Sequence, residues 1–368
     1  MNIDPSAPIV FEGSVLSLRR TGVAQYAANL ATGLARLGVP VAAVLSSQDQ
    51  PGSYLDDLND EGVDIRRPTH RLVETAYWAL DRLWTPPAYE RLAGPAGLVL
   101  FPNNRSFPTR VPQIATIHDL VQAAHPECIE PDWARRVEQR IKRIIDHADV
   151  ILADTQTAAA EIMSVYGVEA SRIAVVPCAP APRAVARPGD HGVPGAIIAV
   201  GTIEPRKNLI NLIRAHRLLD PSQRQVHPLL LIGGLGYRSD EVQAEIQGED
   251  HISLRSDVDQ AELSALFGTA AMLVQPSIYE GFGMPPVEAL ATDLPLVCSN
   301  IPVLKEVTQG LADAYVDPLD VTDIARGISE VLAVSRADVA TRRANHQSPY
   351  SWEHSALLLK RVIDRLVR

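Results

Sequence analysis

Short apolar runs alternate with longer amphipathic stretches along the first half of the chain. The runs are apolar and often β-branched: PIVF (8–11), VAAVL (41–45), GLVLF (97–101), QIATI (113–117) and DVILA (149–153). Stretches with helical periodicity lie between several of them, as at 25–37 and 133–147. This alternation is typical of βαβ units, in which helices cover both faces of a parallel sheet.

The alternation stops at residues 177–195, which are rich in Pro, Gly and Ala and lack periodicity, so we interpret them as a linker. It resumes with AIIAV (196–200), PLLLI (228–232), ISL (252–254), MLVQ (272–275) and LPLVC (294–298). The 368 residues also exceed what one ordinary core supports. The sequence therefore predicts two Rossmann-like domains facing across a cleft, 1–180 and 195–350, with a final amphipathic helix at 351–368.

The net charge and the positions of the cysteines exclude several classes of function. The formal net charge is -10, which excludes a whole-protein basic field for nucleic acid. The three cysteines, Cys128, Cys178 and Cys298, are scattered and fit neither a zinc site nor a disulfide framework. The N-terminal residues lack a signal-peptide pattern, and no apolar run is long enough to span a membrane. We expect a cytoplasmic protein and leave peripheral contact with the inner face of the membrane open.

Ligands of open parallel sheets bind beyond the carboxyl ends of the strands, so the segments after each apolar run are the places to look for chemistry. Glycine, histidine and charged residues cluster in these segments. They are Arg19 to Gly22, His118 with Asp119, GTIEPRKN (201–208), GGLGY (233–237) and PSIYEGFGMPPVEAL (276–290).

Residues 276–290 carry the strongest signal. Glu280 and Glu288 stand eight residues apart, and Pro285 and Pro286 between them predict the start of a helix. The glycines before the helix let backbone N–H groups approach a ligand, and a helix N-terminus suits a diphosphate. One carboxylate would then reach a sugar and the other a ribose hydroxyl. The competing interpretation is a Gly/Pro loop with two solvated glutamates.

Three other positions have a functional and a structural interpretation. Arg206 and Lys207, at a strand-to-helix loop, would neutralise a pyrophosphate, or they are a solvated basic pair. His118 at a strand end would offer a neutral imidazole to a sugar hydroxyl, or it is structural. Gly22 would let the backbone approach a phosphate, or it is a turn glycine.

Three patterns are better explained without a ligand. GGLGY is an incomplete dinucleotide fingerprint. Asp257-Val258-Asp259 spells a metal motif, but it sits in a polar turn before a helix, where capping is the expected role. A basic run would touch anionic lipid or an acceptor phosphate, although such runs are usually solvated faces: Arg135, Arg136, Arg140, Lys142 and Arg143.

Together these segments resemble glycosyltransferase family four, the retaining GT-B enzymes, over most of the chain. RRTGVAQYAANL resembles the family's glycine loop and first helix, and TIHDL its histidine strand end. VGTIEPRKNL and LLLIGG resemble its phosphate and central motifs. SWEHSALLL resembles its closing helix, which implies that the helix at 351–368 packs back on the first domain. QPSIYEGFGMPPVEALATDLPLVCSN resembles its donor-sugar motif, in which Glu-x7-Glu is the most specific element.

The resemblance implies a role for each matching residue. Glu280 would hold the donor sugar and Glu288 the ribose, while Lys207 and Gly22 would contact the diphosphate. His118 would hold the sugar's C6 hydroxyl, and the backbone N–H groups of the glycine loop would contact sugar and diphosphate: Phe282, Gly283 and Met284. Many family members carry Arg where this chain has Thr202, so Arg206 would supply that charge from another place.

EPRKN resembles bacterial mannosyltransferases that build O-antigen and related polysaccharides. The expected function is therefore metal-independent, retaining hexosyl transfer without a cofactor, from GDP-mannose as the favoured donor to a glycan or lipid-linked glycan. The expected route is front-face attack, and its rival makes Glu280 a covalent nucleophile. The alternatives are a UDP- or ADP-sugar donor, a GT-B sugar-nucleotide epimerase, and a non-catalytic sugar-nucleotide-binding protein.

Overall fold

A computed structural model describes residues 7–17, 21–45, 54–67, 88–180 and 192–366. Contacts divide the chain into two compact units. Unit 1 comprises Met1–Leu120, Arg135–Cys178 and Pro349–Arg368, and unit 2 comprises Val121–Ala134 and Ala179–Ser348. Arg19, Arg20 and residues 181–191 of the predicted linker lie outside the described residues.

Unit 1 is built on a parallel sheet of seven strands within the described ranges. Their order is β3-β2-β1-β4-β5-β6-β7, as in a Rossmann fold. All residues of β1, β2, β4 and β5 are buried, which explains their continuous apolar runs. The strands are β1 (Ile9–Glu12), β2 (Val41–Val44), β3 (Asp64–Arg66), β4 (Leu98–Phe101), β5 (Gln113–Thr116), β6 (Val150–Ala153) and β7 (Ile173–Val175).

Unit 2 contains a second parallel sheet, with six strands among the residues described. Its order, β10-β9-β8-β11-β12-β13, is again that of a Rossmann fold. The two sheets confirm the predicted α/β fold with two Rossmann-like domains. The strands are β8 (Ile197–Val200), β9 (Leu229–Ile232), β10 (Ile252–Arg255), β11 (Met272–Gln275), β12 (Leu296–Ser299) and β13 (Ala314–Val316).

Helices connect the strands, and those expected at 25–37 and 133–147 are present as α1 and α5. In chain order the helices are α1 (Gly22–Arg36), α2 (Leu55–Asp60), α3 (Glu90–Ala93), α4 (Val121–Ala124), α5 (Pro131–His147), α6 (Gln156–Tyr166), α7 (Leu209–Arg217), α8 (Pro221–Val226), α9 (Ser239–Glu245), α10 (Gln260–Thr269), α11 (Met284–Ala291), α12 (Pro302–Thr308), α13 (Val321–Leu332), α14 (Arg336–Arg343) and α15 (Trp352–Leu366). Short 3₁₀ turns lie at Ser14–Ser17, Pro126–Cys128, Ala170–Arg172 and Pro205–Lys207.

The closing helix α15 packs on α1 within unit 1. The two helices approach so closely that a Cβ on Gly33 of α1 would lie 2.6 Å from the Cβ of Ala356. The hydroxyl of Ser355 also donates to the carbonyl of Pro177 at 2.8 Å. Small residues at the helix contact and one buried hydrogen bond therefore fix the C-terminal segment.

The segment Val121–Ala134 belongs to unit 2, although unit 1 residues flank it on both sides. Its 3₁₀ turn, Pro126–Cys128, contacts the 3₁₀ turn Pro205–Lys207. The ring of His125 lies 5.6 Å from that of Tyr279. This excursion of the chain therefore covers part of the loops that follow β8 and β11.

The strand order of unit 2 reverses between β8 and β11, which are hydrogen-bonded neighbours. In a parallel sheet, the carboxyl ends of the two strands at such a reversal diverge into loops on opposite faces and leave a crevice. The loops at this point are 201–208 after β8 and 276–283 after β11. They are the first place to expect a ligand of unit 2.

Candidate functional site

The two loops at the strand reversal of unit 2 are joined through their backbones. The N–H of Ile278 donates to the carbonyl of Arg206 at 2.9 Å. Arg206 and Lys207 stand in the 3₁₀ turn Pro205–Lys207, which projects both side chains toward the second loop. Lys207 is buried, with 8% of its surface exposed. This basic pair is therefore built into the loop junction and is not a solvated turn.

Glu280 is the centre of the junction. Its Oε1 accepts hydrogen bonds from the ammonium of Lys207 at 2.6 Å, the hydroxyl of Ser277 at 2.7 Å and the amide of Gln275 at 2.7 Å. Its Oε2 accepts from the guanidinium of Arg206 at 2.7 Å. Only 4% of the Glu280 side chain is exposed. The sequence-predicted residues Arg206, Lys207 and Glu280 thus form one buried, charge-assisted network.

The charges of this network determine its titration. Burial raises the pKa of Glu280, but the neighbouring Lys207 and Arg206 outweigh burial and lower that pKa to about 2. Burial lowers the pKa of Lys207, and the carboxylate of Glu280 partly offsets this. Arg206 also pairs with Glu204, whose Oε1 lies 2.6 Å from its Nε. Two cations therefore face two carboxylates.

Two glycines at the ends of β8 and β9 allow the close packing around Lys207. Gly201 has φ of 145°, and a Cβ there would lie 3.1 Å from Cε of Lys207. Gly233 has φ of 150°, and a Cβ there would overlap the carbonyl oxygen of Gly201. A side chain at either position would displace the backbone or the lysine. Lys207 lines a recess together with Gly201, Gln275 and Pro276.

Helix α11 begins next to this network and presents few but well-placed N–H groups. Gly283 is its N-cap, with φ of 93°. Pro285 and Pro286 in its first turn carry no N–H. The first N–H groups of a helix have no acceptor within it, and here those of Gly283 and Met284 remain. Neither of these two N–H groups donates a hydrogen bond within the described part of the chain. These two amides can hold an anion.

The other sequence-predicted residues of this region are distributed around α11 and β8. Phe282 is buried just before the helix, and Glu288 is buried within it. Thr202 is exposed at the end of β8, and its methyl group would lie 2.7 Å from a Cβ on Gly236 of the GGLGY segment. Thr202 and GGLGY therefore lie together, at the edge of the same loops.

Asn208 ties these loops to a third one. Its backbone is left-handed, with φ of 58°, and its side-chain amide donates to the carbonyls of Pro276 at 3.0 Å and Pro318 at 2.6 Å. Asn211 donates to the same Pro318 carbonyl at 3.2 Å. Asn208 therefore fixes the turn that carries Arg206 and Lys207, while Asn211 does not touch it.

We expect Asn208→Gly to weaken the binding of an anion at this turn about tenfold, because glycine accepts the left-handed backbone but removes both tethers, worth about 1 kcal/mol each. Asn211→Ala loses a bond to the same carbonyl and should bind as the wild type does. Isothermal titration of both variants measures the difference. Equal affinities for the two variants would contradict a role of Asn208 in positioning the turn.

His118 lies in unit 1, directly beyond β5. Its Nδ1 lies 2.7 Å from Oδ2 of Asp154, and its Nε2 lies 2.9 Å from the carbonyl oxygen of Pro102. Tyr26 of α1 contacts the ring edge to face at 5.2 Å. Burial lowers the pKa of His118, but the carboxylate of Asp154 and the hydrogen bonds outweigh it and raise the pKa to about 9. Both ring nitrogens face acceptors, as in the structural interpretation of His118, and its contact with a sugar hydroxyl stays a prediction.

Gly22 is the first residue of α1, whose N-cap Thr21 accepts from the N–H of Ala24 at 3.2 Å. Gly22 has no positive φ, and a Cβ there would meet nothing within 4 Å. Within the described residues, neither a turn nor packing therefore requires glycine at this position. The approach of a ligand to the backbone at Gly22 stays a prediction.

Several site residues escaped sequence reasoning. Gln275 and Ser277 share the carboxylate of Glu280, Glu204 pairs with Arg206, and Asp154 pairs with His118. Asp154 follows β6 as His118 follows β5, and these strands are neighbours. Strand adjacency could have suggested this pair. The partners of Glu280 carried no comparable signal, because polar residues near a Gly-rich loop are common.

The patterns that we discounted have structural roles. Oδ1 of Asp259 accepts from the N–H of Glu262 at 2.8 Å and caps α10, as expected for the Asp-Val-Asp sequence. In the basic helix α5, Arg135, Arg136 and Lys142 are exposed, and Lys142 pairs with Glu138 at 3.2 Å. Among the helices of the described residues, none is sufficiently long and apolar to cross a membrane.

Comparison with known families matches each half of the chain. The family described as Glycosyltransferase Family 4 matches residues 20–179, and that described as Glycosyl transferases group 1 matches residues 189–347. The second match contains the entire junction of Arg206, Lys207 and Glu280. The first contains Gly22, His118 and Asp154.

Individual relatives agree with these matches. O-antigen chain mannosyltransferase B of Escherichia coli is 32% identical over 256 residues, covering 66% of this chain and 67% of that protein. The serotype-specific mannosyltransferase WbdA of Escherichia coli is 26% identical over 279 residues, 69% of this chain but 34% of WbdA, so this chain matches about a third of its length. Sucrose-phosphate synthase from Thermosynechococcus elongatus shares the fold, with a TM-score of 0.71 at 20% identity over 98% of this chain and 99% of that one.

Proposed function

We propose that this chain, which belongs to glycosyltransferase family 4, transfers a hexose from a nucleotide-diphosphate sugar to a glycan or lipid-linked glycan acceptor. The observation that carries the proposal is the junction in unit 2. Lys207, Arg206 and Glu280 meet at the strand reversal, beside a helix that begins with unused N–H groups. Cations and amides at that position suit a diphosphate.

The donor's diphosphate would lie against the amides of Gly283 and Met284, with Lys207 and Arg206 beside it. These groups would stabilise the negative charge that grows on the leaving diphosphate, so that neither a metal nor another cofactor is needed. Glu288 would contact the ribose, Thr202 would line the diphosphate, and Phe282 would lend its N–H to the sugar. In unit 1, Gly22 would offer its backbone N–H to a phosphate, whereas both ring nitrogens of His118 already face acceptors.

We favour front-face attack with retention of configuration. The bond from the sugar to the phosphate breaks, the acceptor hydroxyl attacks the same face, and a departing phosphate oxygen takes its proton. The rival route, with Glu280 as a nucleophile, fits the structure less well. Its carboxylate is buried and accepts from four donors, which leaves its oxygens poorly placed to attack carbon.

GDP-mannose is the donor that we favour, since mannosyl transfer appears in the names of both Escherichia coli relatives. The same relatives support a role in O-antigen or other polysaccharide biosynthesis. A cytoplasmic location would give access to the nucleotide sugar, and the exposed arginines of α5 would allow peripheral contact with a membrane that holds a lipid-linked acceptor.

In a thermal-shift panel, GDP-mannose should raise the melting temperature more than UDP-glucose or ADP-glucose at equal concentration. Binding to the native state alone stabilises by about 2.7 kcal/mol when the ligand is at 100 times its Kd. Lys207→Ala should abolish the shift, whereas Arg326→Ala, which removes an exposed cation of unit 2, should retain it. A larger shift with a UDP- or ADP-sugar would overturn the donor assignment, and no shift with any of them would overturn the donor site.

The reaction itself needs a second measurement. Incubation with GDP-mannose and a mannosylated acceptor should release GDP and give a product whose new linkage has the anomeric configuration of the donor. Incubation with GDP-mannose alone should leave the sugar unchanged. An epimerised sugar in that control would favour the epimerase, and binding without turnover of any acceptor would favour a non-catalytic protein.

A further inference from the structure

Arg206 is held between two carboxylates. Its Nη1 donates to Glu280 at 2.7 Å, and its Nε lies 2.6 Å from Oε1 of Glu204. Glu280 is shared with Lys207, so the two cations and two carboxylates of this cluster balance. A diphosphate that approaches Arg206 therefore meets a cation whose charge is already compensated.

The two carboxylates are not equally fixed. The side chain of Glu280 is 4% exposed and accepts from Lys207, Ser277 and Gln275 as well as from Arg206. The side chain of Glu204 is 20% exposed, and its Oε1 lies 2.6 Å from Nε of Arg206. Removing Glu280 would break a buried network, whereas Glu204 is the more exposed of the two carboxylates and therefore the one that an incoming anion can displace at lower cost.

Glu204 also occupies the edge of Arg206 that phosphate prefers. A guanidinium binds phosphate in a bidentate manner through two parallel N–H groups, and Nε–H belongs to one such edge. With Nη1 committed to Glu280, the edge that contains Nε is the one left for an incoming anion. Glu204 and a diphosphate therefore compete for the same donor.

We propose that Glu204 sets the affinity of this chain for the donor's diphosphate, by pairing with Arg206 and being displaced from it by the diphosphate on binding. The inference rests on the proposed function, since it takes a diphosphate as the ligand of the junction. It gives Glu204 a role in ligand binding that its position in the sequence does not indicate. It also explains why the loop carries a carboxylate two residues before the arginine.

Glu204→Gln should bind GDP about three- to tenfold more tightly than the wild type, because it removes both a competitor for Arg206 and a negative charge beside the ligand. Isothermal titration with GDP and UDP measures the change. The matched control is Glu262→Gln, which removes a carboxylate of unit 2 that pairs with Arg255 at 2.9 Å. This control should bind as the wild type does, and a disturbed fold would weaken binding and not tighten it.

The same substitution in an Arg206→Ala background distinguishes displacement of Glu204 from Arg206 from the mere loss of a negative charge near the ligand. If Glu204 acts through Arg206, the tightening should disappear in the double variant. The proposed exchange would be overturned if Glu204→Gln still tightened GDP binding without Arg206. It would also be overturned if Glu204→Gln alone bound GDP as the wild type does or more weakly. Failure of the wild type to bind any nucleoside diphosphate would instead overturn the proposed function.

Discussion

Glu280→Gln should lower the free energy of unfolding of unit 2 by about 3–5 kcal/mol, the usual cost of removing one partner of a buried ion pair. The substitution leaves the buried ammonium of Lys207 and the guanidinium of Arg206 without their shared carboxylate. The new amide also turns two donors toward groups that already donate. Hydrogen exchange of amides in β8 and β11 reports on this unit separately from unit 1.

The pH dependence of this loss identifies its cause. The folded-state pKa of Glu280 is depressed to about 2. A depressed pKa means that the stabilisation is fully present above the unfolded-state pKa, about 4.3, and disappears as the pH falls through the folded value. The free energy of unfolding of the wild type should therefore exceed that of Glu280→Gln by a constant amount above pH 5, and this difference should shrink toward pH 2.

The same variant tests the chemistry. With the turn of Arg206 and Lys207 no longer anchored, we expect transfer to slow about 10- to 100-fold yet remain measurable, as for a modest misplacement of catalytic groups. Complete loss with intact donor binding would support Glu280 as a covalent nucleophile. A rate like that of the wild type would remove Glu280 from both schemes, and equal losses of stability in Glu280→Gln and Glu262→Gln would contradict its role as the anchor of the turn.

Buried central strands are the part of this fold that a sequence reveals. The runs that became β4 and β9 are apolar throughout, because both faces of a parallel sheet are covered. The strands not predicted are short and lie at sheet edges: β3, β7 and β13. β3, with the sequence Asp-Ile-Arg, has an exposed first residue and carries no apolar run to detect.

The candidate site was predictable in its charged residues but not in its internal pairing. Glycine, basic residues and a carboxylate after successive strands indicated an anion site, and the strand reversal brings them together. Which carboxylate pairs with which cation depends on angstrom-scale placement of side chains from separate loops, and no periodicity encodes this. The excursion of Val121–Ala134 onto unit 2 likewise leaves no compositional mark, since its contacts come from an ordinary polar segment.

The pairing of His118 could not be predicted from the sequence for a similar reason. The position after a buried strand left two interpretations open, a ring that faces a ligand and a structural histidine. The parallel pairing of β5 and β6 places Asp154 beside one nitrogen, and the carbonyl of Pro102 lies beside the other. Both partners are acceptors, so the imidazolium form of His118 satisfies both, in keeping with its raised pKa.

The stability of unit 1 should consequently fall by up to about 3 kcal/mol as the pH rises from 6.5 through 9, because each unit of pKa shift corresponds to about 1.4 kcal/mol. The folded-state pKa of His118 is raised to about 9, so its stabilisation is complete below the unfolded-state value and is lost as the pH passes the folded one. Hydrogen exchange in β5 and β6 at pH 6, 7.5 and 9 measures the fall.

Variants of the pair show whether His118 is responsible. Asp154→Asn removes the carboxylate and should flatten this pH dependence, while His354→Gln, at an exposed position of α15, should keep it. The Cε1 proton resonance of His118 offers a direct readout and should remain that of an imidazolium through pH 8 in the wild type. A resonance that titrates near pH 6.5 would show that the ring is neutral at physiological pH and available to accept a bond from a sugar hydroxyl, and a pH dependence that survives Asp154→Asn would assign the fall in stability to another group.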